Sequence, residues 1–378
     1  MFYKRCPHIP LLFGIFLWVC SSLCLAKTNE PIYQDPFDLA AGGSSLTWAT
    51  QEGILVSNPA LLPYGGKFFR WVGLKTSLFP GKESLNLTRS LLKNKGVKKD
   101  STKTTEEQNN ELIDTLFNTP IHLGASVALS FITSRGGLAV FSSLEPDLKA
   151  WKNGDPTSGS GLPALTVRNE FYTGAYASLA TRSPFENLSF GLSLKSLYVA
   201  DQVLHIDLLD TDSINKAGTD LSKPSSKLPH GLGVDLGTLL FLQGKHTDLR
   251  LAASTVNVGG LQLSNSDQDP IPQTLNVGLG LTFHSDTDAL HLSIDFRDTD
   301  NKYKEALFKR IYAGVRLMLR QYVGLAAGVY HGTPTVGAEL DLIFMRVAAS
   351  AYTREYGDNP GVDPRRIYAV SLTWGVDF

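Results

Sequence analysis

The chain closes on Tyr368-Ala369-Val370-Ser371-Leu372-Thr373-Trp374-Gly375-Val376-Asp377-Phe378. Tyr368, Val370, Leu372, Trp374, Val376 and Phe378 form one apolar face, and Ala369, Ser371, Thr373, Gly375 and Asp377 form the other. Side chains of an extended chain alternate between faces, so this period of two predicts a strand with one greasy and one small polar side. In a soluble sandwich the greasy side meets a core. In a membrane barrel it meets lipid, and the polar side meets the lumen.

The upstream sequence decides for the barrel. From residue 67 onward it repeats one pattern, about ten alternating residues and then a break, and fourteen strands are predicted: 67–79, 121–134, 137–144, 165–181, 188–203, 231–242, 248–258, 273–283, 289–297, 310–319, 322–330, 335–342, 345–354 and 366–378. An even number of antiparallel strands closes into a barrel with no unpaired edge. The connections alternate long and short, from the 41 residues 80–120 to the dipeptide Arg135-Gly136 and onward round the chain. Long loops at one rim and tight turns at the other produce this rhythm, and a sandwich does not. His331-Gly332-Thr333 is short where the rhythm wants a long loop, which predicts one low corner. In the second strand Ile121, Leu123, Ala125, Val127, Leu129 and Phe131 point outward, and His122, Gly124, Ser126, Ala128 and Ser130 inward. An aromatic last residue on such a strand resembles the closing strand of bacterial outer-membrane proteins.

The start of the chain agrees. Lys4 and Arg5 precede an apolar run to Leu25, and Cys24 and Ala26 stand at −3 and −1 of a cut before Lys27. This predicts a cleaved signal peptide over residues 1–26, the alternative being a lipoprotein acylated on Cys24. All three cysteines (6, 20 and 24) lie in the leader, so the mature chain has no disulfide and no thiolate metal site. Losing Lys4 and Arg5 reduces 35 basic residues to 33 against 36 acidic ones, a balance that argues against nucleic acid as partner.

Two segments read as something other than strand. Leucines and aromatics at helical spacing predict two short amphipathic helices, or a surface loop, over 84–118 in the first long connection. Residues 204–221 read as a cap over the barrel mouth or an extension of the fifth strand. The glycines and Asp235 of Gly231-Leu232-Gly233-Val234-Asp235-Leu236-Gly237 share the inward face and make room for something inside the barrel. Their spacing is not that of a nucleotide-binding loop.

Between leader and barrel, residues 27–66 carry Gly42-Gly43-Ser44-Ser45-Leu46-Thr47-Trp48 and then Asn58-Pro59-Ala60. This segment resembles the N-terminal hatch of the long-chain fatty-acid transporter (FadL-like) family, within a wider group that includes PorV-like barrels and uncharacterised spirochaete outer-membrane proteins. The resemblance implies an all-β fold, a single fourteen-stranded transmembrane barrel over 67–378, plugged by a hatch in which Gly42, Gly43, Asn58, Pro59 and Ala60 are the matching residues. It implies passive uptake of hydrophobic small molecules such as long-chain fatty acids across the outer membrane, with no cofactor. The alternative is a scaffold or secretion component that binds envelope proteins without solute flux.

No catalytic constellation is evident. The mature histidines are scattered, with no i, i+4 pair, no metal spacing and no G-x-S-x-G elbow. Alternation assigns Arg168, Glu170, Lys195, Asp235, Asp295, Arg297, Arg316, Glu339 and Asp341 to the lumen, where charges of both signs hold a barrel together by pairing. A cation left over, Arg168, Lys195 or Arg316, would meet a ligand carboxylate. Trp71, Tyr172 and Tyr176, with Phe69, fall on the same face and would line its apolar pocket.

Overall fold

A computed structural model of the chain describes residues 33–64, 72–86, 88–89, 117, 120–151, 163–185, 187–207, 229–264, 270–342, 344–357 and 359–376. Its strands are β1 (Val72–Pro80), β2 (Ile121–Ile132), β3 (Gly136–Trp151), β4 (Ala164–Arg182), β5 (Leu188–Asp207), β6 (His230–Gln243) and β7 (Thr247–Val256). They continue as β8 (Thr274–His284), β9 (Ala289–Phe296), β10 (Ile311–Leu319), β11 (Val323–Tyr330), β12 (Thr333–Leu342), β13 (Met345–Glu355) and β14 (Pro364–Val376). Each is hydrogen-bonded to the next, and β14 returns to β1 with Trp374 opposite Leu74. The fourteen strands form one closed antiparallel barrel.

Strict alternation makes the wall two-sided. On β2 every second residue from Leu123 to Phe131 is exposed, and the residues between are buried. The exposed set around the barrel is apolar: Leu74, Val127, Leu129, Val140, Leu194, Leu279, Leu325, Val336 and Trp374 among others. A belt of that extent is untenable in water and is the outer surface of a barrel that sits in lipid. Among the described residues no helix is long and apolar enough to cross a membrane.

The strands match the sequence expectation to within a few residues, with one exception. β3 runs on to Trp151, seven residues past its expected end. Glu145, Pro146, Asp147 and Lys149 read as loop because they are charged or lack an N–H, yet Asp147 is a buried, inward-facing strand residue. Pro146 leaves its mark on the ladder. The β2–β3 pairing is continuous from Ala125 to Ile132 and again at Ile121–His122, but skips Leu123 and Gly124, which stand opposite Pro146 and Glu145. Residues 204–207 extend β5, and residues 82–86 are helical; the leader, Phe69, Trp71 and most of 84–118 and 208–221 lie outside the described residues.

β11 and β12 meet in the two-residue turn His331-Gly332, with φ of 49° and 75°. Positive φ at both positions suits the right-handed twist of a hairpin, and glycine supplies it without steric cost. The expected low corner is therefore real. β11 has 8 residues and β5 has 20, so the opposite wall rises far above it.

Residues 33–64 fold inside the barrel as α1 (Pro36–Ala40), α2 (Gln51–Ser57) and a 3₁₀ helix, Pro59–Tyr64. Asp35 caps α1 by accepting the Phe37 N–H at 2.7 Å, and Pro36 starts the helix at the position that needs no donor. The protein's core lies between this hatch and the inner wall. Leu46, Ile54, Leu55, Leu61 and Leu62 pack against Phe141, Tyr176, Leu197 and Leu239, while Leu39 packs among Tyr312, Tyr330, Tyr352 and Ile367.

Candidate functional site: the hatch and the lumen wall

The hatch is a polyanionic key in a cationic lock. Residues 33–64 contain Asp35, Asp38 and Glu52 and no lysine or arginine. Each acid meets a base on the wall. Lys75 of β1 pairs with Asp35 and lies 3.9 Å from Glu52; Arg346 of β13 is 3.4 Å from Asp35, and Arg316 of β10 is 3.4 Å from Asp38. Burial alone would raise the Asp35 carboxyl, but the Lys75 and Arg346 charges beside it hold it down at about 2. Asp38 is pushed up to about 6 by burial and by the charge on Asp35, against the pull of Arg316 and the Thr50 hydrogen bonds. An isolated charge at this depth would be prohibitive, so losing one partner costs on the order of 3–5 kcal/mol. Of these wall bases only Arg316 was singled out in the sequence; Lys75 and Arg346 were not, although the one-signed charge of residues 33–64 points to such partners.

The wall also reaches into the hatch. Asp295 accepts the backbone N–H groups of Ser45 at 2.7 Å and Leu46 at 3.0 Å, and Arg297 donates to the Gly43 carbonyl at 2.6 Å and to Ser45 Oγ at 2.8 Å. Arg316 donates to the Ser44 carbonyl and lies over the Trp48 ring, 4.4 Å from its centroid. The Gly-Gly-Ser-Ser-Leu-Thr-Trp run thus has polar partners at the β9–β10 part of the wall.

Glycines let the two backbones touch. A Cβ on Gly314 would stand 2.0 Å from the Ala41 carbonyl oxygen, and one on Gly328 2.4 Å from Gly42 N. Gly42, at φ 67°, donates to Thr335 Oγ1 at 3.1 Å. Asn58-Pro59-Ala60 sits in a second slot. Asn58 Nδ2 donates to the carbonyls of Leu46 (3.0 Å) and Thr238 (3.3 Å), while its Oδ1 accepts from Ala60 N at 3.1 Å. Cβ atoms on Gly191 or Gly237 would fill that slot at 2.4 Å from Ala60 N or 2.1 Å from Asn58 Oδ1. The inward glycines anticipated around residue 237 make room for the hatch itself.

The lumen cations anticipated as ligand partners differ among themselves. Lys195 is paired with Asp235 at 2.6 Å, and Arg316 belongs to the hatch lock. Arg168 stacks on the Tyr356 ring at 4.2 Å and has no carboxylate within ion-pair distance among the described side chains. Tyr176 is buried against Phe141, with ring centroids 5.8 Å apart, and Tyr172 packs on the same hatch-facing cluster. Above the hatch, ion pairs link four strands of the wall. Arg354 of β13 reaches Glu170 of β4 at 2.7 Å and Glu145 of β3 at 2.9 Å, and Arg365 of β14 reaches Asp147 at 3.0 Å.

Two cavities flank α2. The larger, about 130 Å³, lies toward the short turns between Trp48, Ile54 and Tyr64 of the hatch and Arg250, His291 and Arg346 of the wall. The smaller, about 20 Å³, lies on the other side, beside Leu39, Gly53, Val56, Arg297 and Tyr330. Gly53 of α2 faces Asp38 of α1, and Thr50, just before α2, donates through Oγ1 to Asp38 Oδ2 at 2.8 Å. No group of three histidine, aspartate or glutamate side chains is placed to hold a metal ion among the described residues.

No family model matches the chain, and no curated protein does. Solved structures do. The toluene transporter TodX of P. putida aligns over 92% of this chain and 99% of its own with a TM-score of 0.51 at 10% identity. The toluene transporter TbuX of Ralstonia pickettii aligns over 93% of this chain and 100% of its own, with a TM-score of 0.51 at 11% identity. At such identities the likeness is one of fold.

Proposed function

We propose that this protein is a bacterial outer-membrane channel for passive uptake of hydrophobic small molecules, with long-chain fatty acids as the substrate class. The observation that carries the reading is a lumen plugged by a separate hatch, in a barrel whose fold is shared with proteins named as toluene transporters. A ligand enters from the long-loop side and comes to rest above the hatch. Arg168 is the residue assigned to its carboxylate, because Lys195 and Arg316 already have partners. From there the ligand leaves past Asn58-Pro59-Ala60, or sideways through the interruption in the β2–β3 ladder. Movement down a gradient requires no cofactor and no energy coupling.

Binding and uptake of labelled oleate by proteoliposomes test this, beside toluene as a ligand without a head group. Arg168→Ala should weaken oleate binding about tenfold and leave toluene entry unchanged, a difference of about 1.4 kcal/mol. Proteoliposomes that take up neither compound above empty vesicles would sink the uptake reading.

A second reading is favoured by the ion pairs that Arg354 and Arg365 make above the hatch. A lumen braced in this way suits a barrel that docks envelope proteins with no flux. Purification of a stoichiometric protein partner with the native barrel, together with absent uptake, would select it.

A further inference from the structure

The short wall carries an apolar surface that the barrel belt does not include. β11 is 8 residues long, a rise of about 26 Å along the strand and about 20 Å along the barrel axis at the usual tilt. The apolar belt of a membrane barrel is about 25 Å tall. Lipid-facing Val323, Leu325, Val329 and Val336 take this hairpin up to its turn, so His331-Gly332 stands at the top of the hydrocarbon layer. Anything packed on that turn sits at the boundary between acyl chains and head groups.

Two loops pack on it. A Cβ on Gly332 would stand 3.1 Å from Pro360 Cγ and 3.6 Å from Phe308 Cβ, one from the β13–β14 loop and one from the short helix α3 (Leu307–Arg310) of the β9–β10 loop. Lys309 Nζ ties them together by donating to the Gly357 carbonyl at 3.1 Å. Each loop is organised from its base by a buried carboxylate. Asp298 accepts the N–H groups of Lys302 and Tyr303, and Glu355 accepts those of Gly357, Gly361 and Asp363. Loops so tied do not collapse onto their own apolar side chains. Leu307, Phe308 and Val362 are held out at 52%, 65% and 66% exposure, beside the lipid-facing belt.

We propose that these two loops form a collar in which Leu307, Phe308 and Val362 insert into the outer leaflet of the membrane, with lipid as their partner. The inference rests on the reading of the barrel as membrane-embedded, and its test separates the two. The chain from residue 27 contains no cysteine, so single cysteines can carry a nitroxide label. Phe308→Cys, Val362→Cys, Val336→Cys on the belt and Asp286→Cys on an exposed short turn would be labelled in the full protein, reconstituted in phosphatidylcholine vesicles. Collision rates with oxygen, which concentrates in lipid, would be compared with those of a water-soluble nickel chelate.

Positions 308 and 362 should favour oxygen as position 336 does, with 286 favouring nickel. Oxygen preference at 336 with nickel preference at 308 and 362 overturns the collar and leaves the barrel intact. Nickel preference at 336 overturns the membrane reading itself.

Discussion

At the scale of single residues, the hatch is positioned by what the wall lacks. Gly314, Gly328 and Gly191 face hatch backbone, and Gly237 the Asn58 side chain, so closely that no side chain fits. Overpacking a well-filled site costs about 1–3 kcal/mol, and more when the neighbour is main chain that cannot rotate away. Gly314→Ala should therefore push Ala41 and Gly42 off the wall without opening the β10–β11 ladder. The expected outcome is faster protease cleavage within residues 33–64, while the barrel keeps its heat-modifiable migration. Ala327→Val, on the lipid face, is the matched control and should change neither. Unchanged cleavage in Gly314→Ala would mean that this contact does not hold the hatch. Of these glycines, Gly237 was legible as inward from alternation alone, but not what it makes room for. Such fits depend on contacts between residues far apart in sequence, some 270 positions for Ala41 and Gly314, about which local periodicity carries no information.

At the scale of elements, strand number, order and facing were legible because each strand states its two faces in a period of two. What was not legible follows from the same rule. Past the membrane belt the outward side no longer has to be apolar, so the alternation fades and the strand pattern of β3 ends at Leu144 in the sequence. Its extension is held by the ion pairs of Glu145 and Asp147 with β13 and β14, whose partners lie about 210–220 residues away. The same extension contains the weak point of the wall. Pro146 has no N–H to give to β2, and the ladder lapses at Leu123 and Gly124. Native-state hydrogen exchange should find the Leu123 amide opening at least tenfold faster than those of Val127 and Leu129 on the same strand. Equal protection along β2 would show that the ladder is closed in solution and would remove the sideways exit. The candidate site was only partly legible for the same reason. Inward direction picked out Arg168, Lys195 and Arg316 alike, and only the three-dimensional arrangement separates Arg168 from the two cations already paired.

At the scale of the whole molecule, charge is divided between plug and wall. Asp35, Asp38 and Glu52 belong to the hatch, which has no base of its own, and their partners Lys75, Arg316 and Arg346 belong to the barrel. Removing residues 33–64 would leave three buried bases without those partners around an emptied lumen. A water-filled pore lined in this way concentrates anions, and the low-dielectric wall strengthens the field that does so. The deleted protein, checked for barrel folding by heat-modifiable migration, should conduct in planar bilayers where the intact protein is closed. Under a potassium chloride gradient its reversal potential should have the sign of chloride selectivity, and the selectivity should decline as salt rises and screening shortens the reach of the charges. Replacing Lys75, Arg316 and Arg346 by glutamine in the deleted protein should abolish the preference and keep the conductance. A cation-selective pore would mean that inward acids such as Glu339 and Asp341 dominate the open lumen, and that ion pairing is not what seats the hatch.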